Sequence, residues 1–152
     1  MAKRFAGRTR YLSLEEQLVR LKQRWGSTWS VIRDSGAIVA TGRMKPDAIC
    51  REYRVRIRYS GTYPVVTVVD PPLVQLPTGE RLPHTYDNRR LCLYHPDYQE
   101  WSRDKSIADT IVPWVSEWLY FYELWLACGE WLGGGVHPRR KTPYRKGATG
   151  SS

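Results

Sequence analysis

A chain of 152 residues, 41% of them hydrophobic, fits one domain that can bury a core without disulfide or metal staples. Its formal net charge of +9 lies in the ends: Lys3, Arg4, Arg8 and Arg10 precede Tyr11, and Arg139, Arg140, Lys141, Arg145 and Lys146 follow Val136, leaving 15 basic against 15 acidic residues between them. That neutral body carries no nucleic-acid-binding motif, which argues against specific nucleic-acid reading. The expected division is a basic N-terminal tail over 1–10, a folded domain over 11–136 and a basic flexible tail over 137–152. Cys50, Cys92 and Cys128 form an odd set with no Cys-x-x-Cys pair, and no charged, apolar, cleavable leader opens the chain. A reducing, cytoplasmic setting is expected.

Ser13 can cap a helix with Glu16 at the capping-box position, and Leu14, Leu18, Leu21 and Trp25 form one apolar stripe that Gly26 ends. Trp29 to Thr41 alternates imperfectly around Asp34-Ser35-Gly36, so a hairpin follows. Tyr53 to Tyr59 alternates without error, turning Tyr53, Val55, Ile57 and Tyr59 to a core and Arg54, Arg56 and Arg58 to water. Tyr63 to Val69 is β-branched and apolar, and Asp70-Pro71-Pro72 stops it. From Leu73 to Leu91 neither period holds, which predicts a long loop.

Ser106 can cap a further helix in which Ile107, Ile111, Trp114, Val115 and Trp118 recur at helical spacing. Pro113 either kinks that helix or sits in the first turn of a second one running to about Cys128, the reading preferred here. Asp109, Glu117, Glu123 and Glu130 argue against a membrane span over Ile107 to Leu132 and for a tryptophan-rich core helix, with an interaction surface as the alternative. Gly133-Gly134-Gly135 is the expected stop.

Cys92 is the candidate nucleophile. It closes the irregular loop, Asn88-Arg89-Arg90 just before it brings charge that favours thiolate, and His84 and His95 are near in sequence. A buried core cysteine in Leu91-Cys92-Leu93-Tyr94 is the competing reading; Cys50 and Cys128 read as core. The spacing of Cys92 and His95 is not that of a paired zinc knuckle, and no glycine-rich phosphate cradle opens a helix, so neither metal nor cofactor is expected.

The strip around Cys92 resembles the active-site strip of ubiquitin-conjugating enzymes. Pro83-His84-Thr85-Tyr86 aligns with the family's Pro-Asn-x-Tyr, Leu91-Cys92-Leu93 with Ile-Cys-Leu, and Trp101-Ser102 with Trp-Ser one residue further on. The resemblance runs over about Ser13 to Leu126. Leu91 to Pro96 with Glu100-Trp101, and Pro113-Trp114 through Glu117 to Glu123, are similar to bacterial members encoded in antiphage operons of the cyclic-oligonucleotide (CBASS) type.

That likeness implies an α+β fold: a four-stranded antiparallel meander, an N-terminal helix, and C-terminal helices packed on the sheet. It implies a thioester at Cys92. It puts His84 where the family has the asparagine credited with stabilising the oxyanion, and Leu82 where the family has a histidine. The implied partner is the C-terminus of a cyclic GMP-AMP synthase-like nucleotidyltransferase, or a ubiquitin-like protein. The acyl group must arrive activated, which points to a separate activating enzyme or an activated partner. An inactive scaffold binding the same partner is the alternative, and it predicts a packed Cys92 thiol where the enzyme predicts an exposed one beside a groove.

Overall fold

The computed structural model describes residues 9–95, 98 and 100–133. Both expected tails fall almost wholly outside this range, as do Gly134 and Gly135. The elements run α1 (Leu14–Trp25), β1 (Trp29–Asp34), β2 (Ala37–Met44), β3 (Tyr53–Tyr59), β4 (Val65–Asp70) and α2 (Ile111–Cys128). The strands form one antiparallel sheet in the order β1-β2-β3-β4, the expected meander in an α+β fold.

Ser13 caps α1, its hydroxyl accepting from the Glu16 N–H at 3.1 Å. The capping box is only half made, because the Glu16 carboxylate turns outward to Arg10. Ser35 and Gly36, at φ 47° and 79°, supply the two positive dihedrals that a tight hairpin turn between β1 and β2 requires. Gly42 faces Trp29 across the pair, and any Cβ there would strike the indole, so the missing side chain seats Trp29 in the core. β3 alternates without exception, Tyr53, Val55, Ile57 and Tyr59 inward and the three arginines outward. Each inward side chain contributes on the order of 1.5–3 kcal/mol by leaving water.

The segment after Trp101 departs from expectation. Ser106 does not begin an α-helix; residues 107–110 form turns, and α2 starts at Ile111 behind Thr110. Gln17, a polar residue of α1 buried beside the apolar stripe, fastens this segment to α1. Its amide donates to the Lys105 carbonyl at 2.8 Å and accepts from the Ile107 N–H at 3.0 Å, two backbone groups that have no partner inside a helix begun at Ser106. The Trp25 indole donates to the Ala108 carbonyl, securing the same segment to α1. Pro113 lies in the first turn of α2, where its missing N–H costs nothing. The helix ends at Gly129, φ 76°, rather than at the Gly133 triplet.

α2 joins the inner face of the sheet through aromatic contact. Tyr122 meets Tyr53 edge-on at 6.3 Å and stacks on Trp118 at 5.3 Å. Glu123 accepts from the Arg51 N–H and the Tyr53 hydroxyl, both at 3.0 Å. Burial alone would raise the Glu123 carboxyl, but hydrogen bonds from Cys50, Arg51 and Tyr53 outweigh it and hold the group below its ordinary range. Among the described residues no helix is long and apolar enough to cross a membrane.

Candidate functional site

The long loop carries a short antiparallel arm of its own. Thr85 pairs with Leu91, the Tyr86 N–H donates to the Arg90 carbonyl at 2.9 Å, and the Cys92 N–H donates to the His84 carbonyl at 2.9 Å. Asp87 turns the tip by accepting from the Arg89 and Arg90 N–H groups, and Asn88, at φ 64°, reaches back to accept from the Leu82 N–H at 2.7 Å. Leu91 donates to the Val66 carbonyl, so the arm continues the sheet beyond β4. A segment without visible period in sequence is thus held by Asx-type contacts that a period cannot reveal. Leu82 is buried, and Thr85 donates to its carbonyl.

His84 and Cys92 therefore face each other across one rung, and both line a cleft of about 480 Å³ between the arm and α2. Trp114, Trp118, Phe121 and Trp131 form its aromatic wall, and Glu100 and Glu117 bring carboxylates to it. His95 lines it too, its N–H donating to Glu100 at 2.9 Å and its ring lying 4.2 Å from Tyr98. A second cleft of about 380 Å³, lined by Tyr63, Tyr86, Arg90 and Trp101, opens on the other side of Leu93 and Tyr94.

His84 is fixed closely. Its carbonyl also accepts from the Trp118 indole at 3.0 Å, its ring lies 4.6 Å from Trp131, and it is 6% exposed. Its φ is 50°, a region that asparagine and histidine enter more readily than most residues. The backbone thus supplies a local reason why histidine is accommodated at this position.

Cys92 is 6% exposed although it lines the cleft. Its thiol lies 3.4 Å from the Tyr94 carbonyl and is pushed up from the ordinary thiol range, chiefly by burial. The Tyr86 hydroxyl is the leading influence in the other direction, followed by the Tyr94 backbone; Glu100 raises the thiol and Arg81 lowers it. Arg89 and Arg90, whose sequence position suggested it, are not among the leading influences on the sulfur. Arg90 turns away to pair with Asp87 at 3.0 Å and lies over the Tyr86 ring. Tyr86 is the site residue that charge and spacing missed; its place in the Pro-x-x-Tyr strip was the available signal. Cys50, buried beside Glu123, and Cys128, exposed at the end of α2, lie outside the cleft. Among the described residues no three His, Cys, Asp or Glu side chains gather closely enough to hold a metal ion.

An N-terminal helix, a four-stranded meander, a cysteine on an irregular arm and a helix behind it together define a ubiquitin-conjugating-enzyme-like fold. The model of the family described as Type II CBASS E2 protein matches residues 17–138, and the chain belongs to that family. No curated protein sequence matches the chain. Its role is accordingly that of an E2-like component of CBASS antiphage defence.

Proposed function

We propose that Cys92 carries the C-terminus of a cyclic GMP-AMP synthase-like nucleotidyltransferase as a thioester and passes it to an acceptor. The observation that carries this reading is the placement of Cys92 in the aromatic cleft, one rung from His84 and with the Tyr86 hydroxyl favouring its thiolate, inside a domain of the CBASS E2 family. The thiolate attacks the activated carbonyl, the C–S bond forms, and the activating group leaves with the electron pair. In the second step an acceptor nucleophile attacks the same carbonyl and the Cys92 thiolate departs. His84 is assigned to the negative oxygen of the tetrahedral intermediate. The activated acyl group comes from a separate activating enzyme, or from an already activated partner. A ubiquitin-like protein is the other donor of suitable chemistry.

The test is intact-mass spectrometry of the protein co-expressed with its neighbouring operon genes. A thiol-labile adduct is expected on the parent, on Cys50→Ser and on Cys128→Ser, with a thiol-stable oxyester on Cys92→Ser. An adduct that survives in Cys92→Ala defeats the assignment.

A packed thiol favours one second reading, a scaffold that binds the nucleotidyltransferase without chemistry, because Cys92 is buried and its thiol is raised. That reading expects co-purification with the partner and no adduct on any cysteine.

A further inference from the structure

The sheet has two unlike faces. Its inner face carries the core and α2, while the register fixes what lines up on the outer one. One row crosses all four strands as Ile32, Val39, Arg58 and Val65. The next runs Ser30, Thr41, Arg56, Thr67 and on to Arg90 of the arm, and a third sets Arg43 against Arg54 and Arg54 against Asp70.

The cations on this face differ in how they are engaged. Arg43 pairs with Glu52 and Arg90 with Asp87. Arg54, Arg56 and Arg58 are exposed and their guanidinium groups make no ion pair or hydrogen bond among the described residues, although Asp70 stands directly opposite Arg54. They follow one another at roughly 6.7 Å along a central strand. Like charges at this spacing, with Arg43 beside Arg54, weaken the sheet slightly. Ile32, 53% exposed, stands at the end of the apolar row beside them.

We propose that this outer face is a docking surface for a carboxylate-rich protein partner that also presents an apolar residue to Ile32 and Val39. Charge complementarity selects the chemistry, because a guanidinium fork binds a carboxylate through two parallel hydrogen bonds. The composition selects protein over nucleic acid. Arginine flanking an apolar centre is the make-up of protein interfaces, whereas the residues of these three rows include no aromatic ring on which bases would stack. The Cys92 cleft is built from the arm and α2, and α2 meets the sheet through Tyr53 on the inner face. A partner on the outer face leaves the cleft open.

The experiment is a backbone-amide NMR titration of the full chain with two probes, a glutamate- and leucine-rich peptide and an oligothymidylate of matched charge. The peptide is expected to shift the amides of Ile32, Val39, Thr41, Arg56 and Thr67, and the shifts are expected to shrink as salt is raised. Combining Arg54→Gln, Arg56→Gln and Arg58→Gln is expected to weaken binding on the order of tenfold or more, and Ile32→Ser alone to weaken it less. Unchanged dispersion in the free variants' spectra confirms that they fold. The proposal is overturned by any of four results: peptide shifts absent from this face, shifts confined to residues before Tyr11 and after Val136, equal affinity in the triple variant, or tighter binding of the oligothymidylate to the same rows.

Discussion

Removing one oxygen from Tyr86 tests how the Cys92 thiolate is supported. Tyr86→Phe keeps the ring, its contact with the Arg90 guanidinium and its place in the wall of the second cleft, and deletes only the hydroxyl that faces the sulfur. Burial first, and the neighbouring Cys92 second, raise the tyrosine, so the phenol stays protonated and remains a donor throughout the neutral range. A hydrogen bond to a charged group is worth about 1.5–3 kcal/mol. The thiolate population of Cys92 at neutral pH should therefore fall by on the order of tenfold to a hundredfold in the variant. The assay is the pH dependence of iodoacetamide alkylation, resolved by peptide mass spectrometry, with exposed Cys128 as internal standard. Alkylation of Cys92 should slow relative to Cys128 and its midpoint should move to higher pH. Tm should fall only slightly, because the hydroxyl serves the charged form of the thiol. An unmoved midpoint, or faster alkylation of Cys92, refutes the assignment of Tyr86 as thiolate donor.

Three further outcomes are expected. His84→Ala should lower Tm, since the side chain is buried against Trp131 at a positive φ, and should slow single-turnover discharge of a Cys92 adduct by on the order of a hundredfold to a thousandfold. His84→Asn suits the same backbone and should keep most of both; equal loss of rate in the two variants would assign His84 to base catalysis instead. Trp131→Ala removes a wall of the cleft and the ring over His84, so alkylation of Cys92 should accelerate several-fold, and unchanged protection would show that another element covers the thiol. Cys50 is pushed up to about 11, by burial first and then by the Glu123 carboxylate, so between the unfolded thiol value near 8.5 and that point the native state holds a proton the unfolded state has lost. Stability should fall with rising pH across this window, and urea unfolding of Cys50→Ala should show a shallower fall than the parent.

Local period and local chemistry settled much of this protein before any tertiary contact was known. The Tyr53 to Tyr59 alternation placed β3 and its arginines, Ser35-Gly36 fixed the hairpin, Ser13 began α1, and the cysteine strip implied the fold through its resemblance to ubiquitin-conjugating enzymes. These signals lie within a few residues of one another, where sequence spacing converts directly into geometry. Only the tertiary structure showed how the segment before α2 is held, because Gln17 reaches Ile107 from 90 positions away. It alone put Trp131 against His84 and made the Tyr86 hydroxyl an influence on the thiol, and it turned Arg90 to Asp87. It also showed that burial, a property of the whole packed chain, outweighs the neighbouring positive charge at the thiol. Charge counted along a sequence carries sign without direction, and direction is what governs a titrating group.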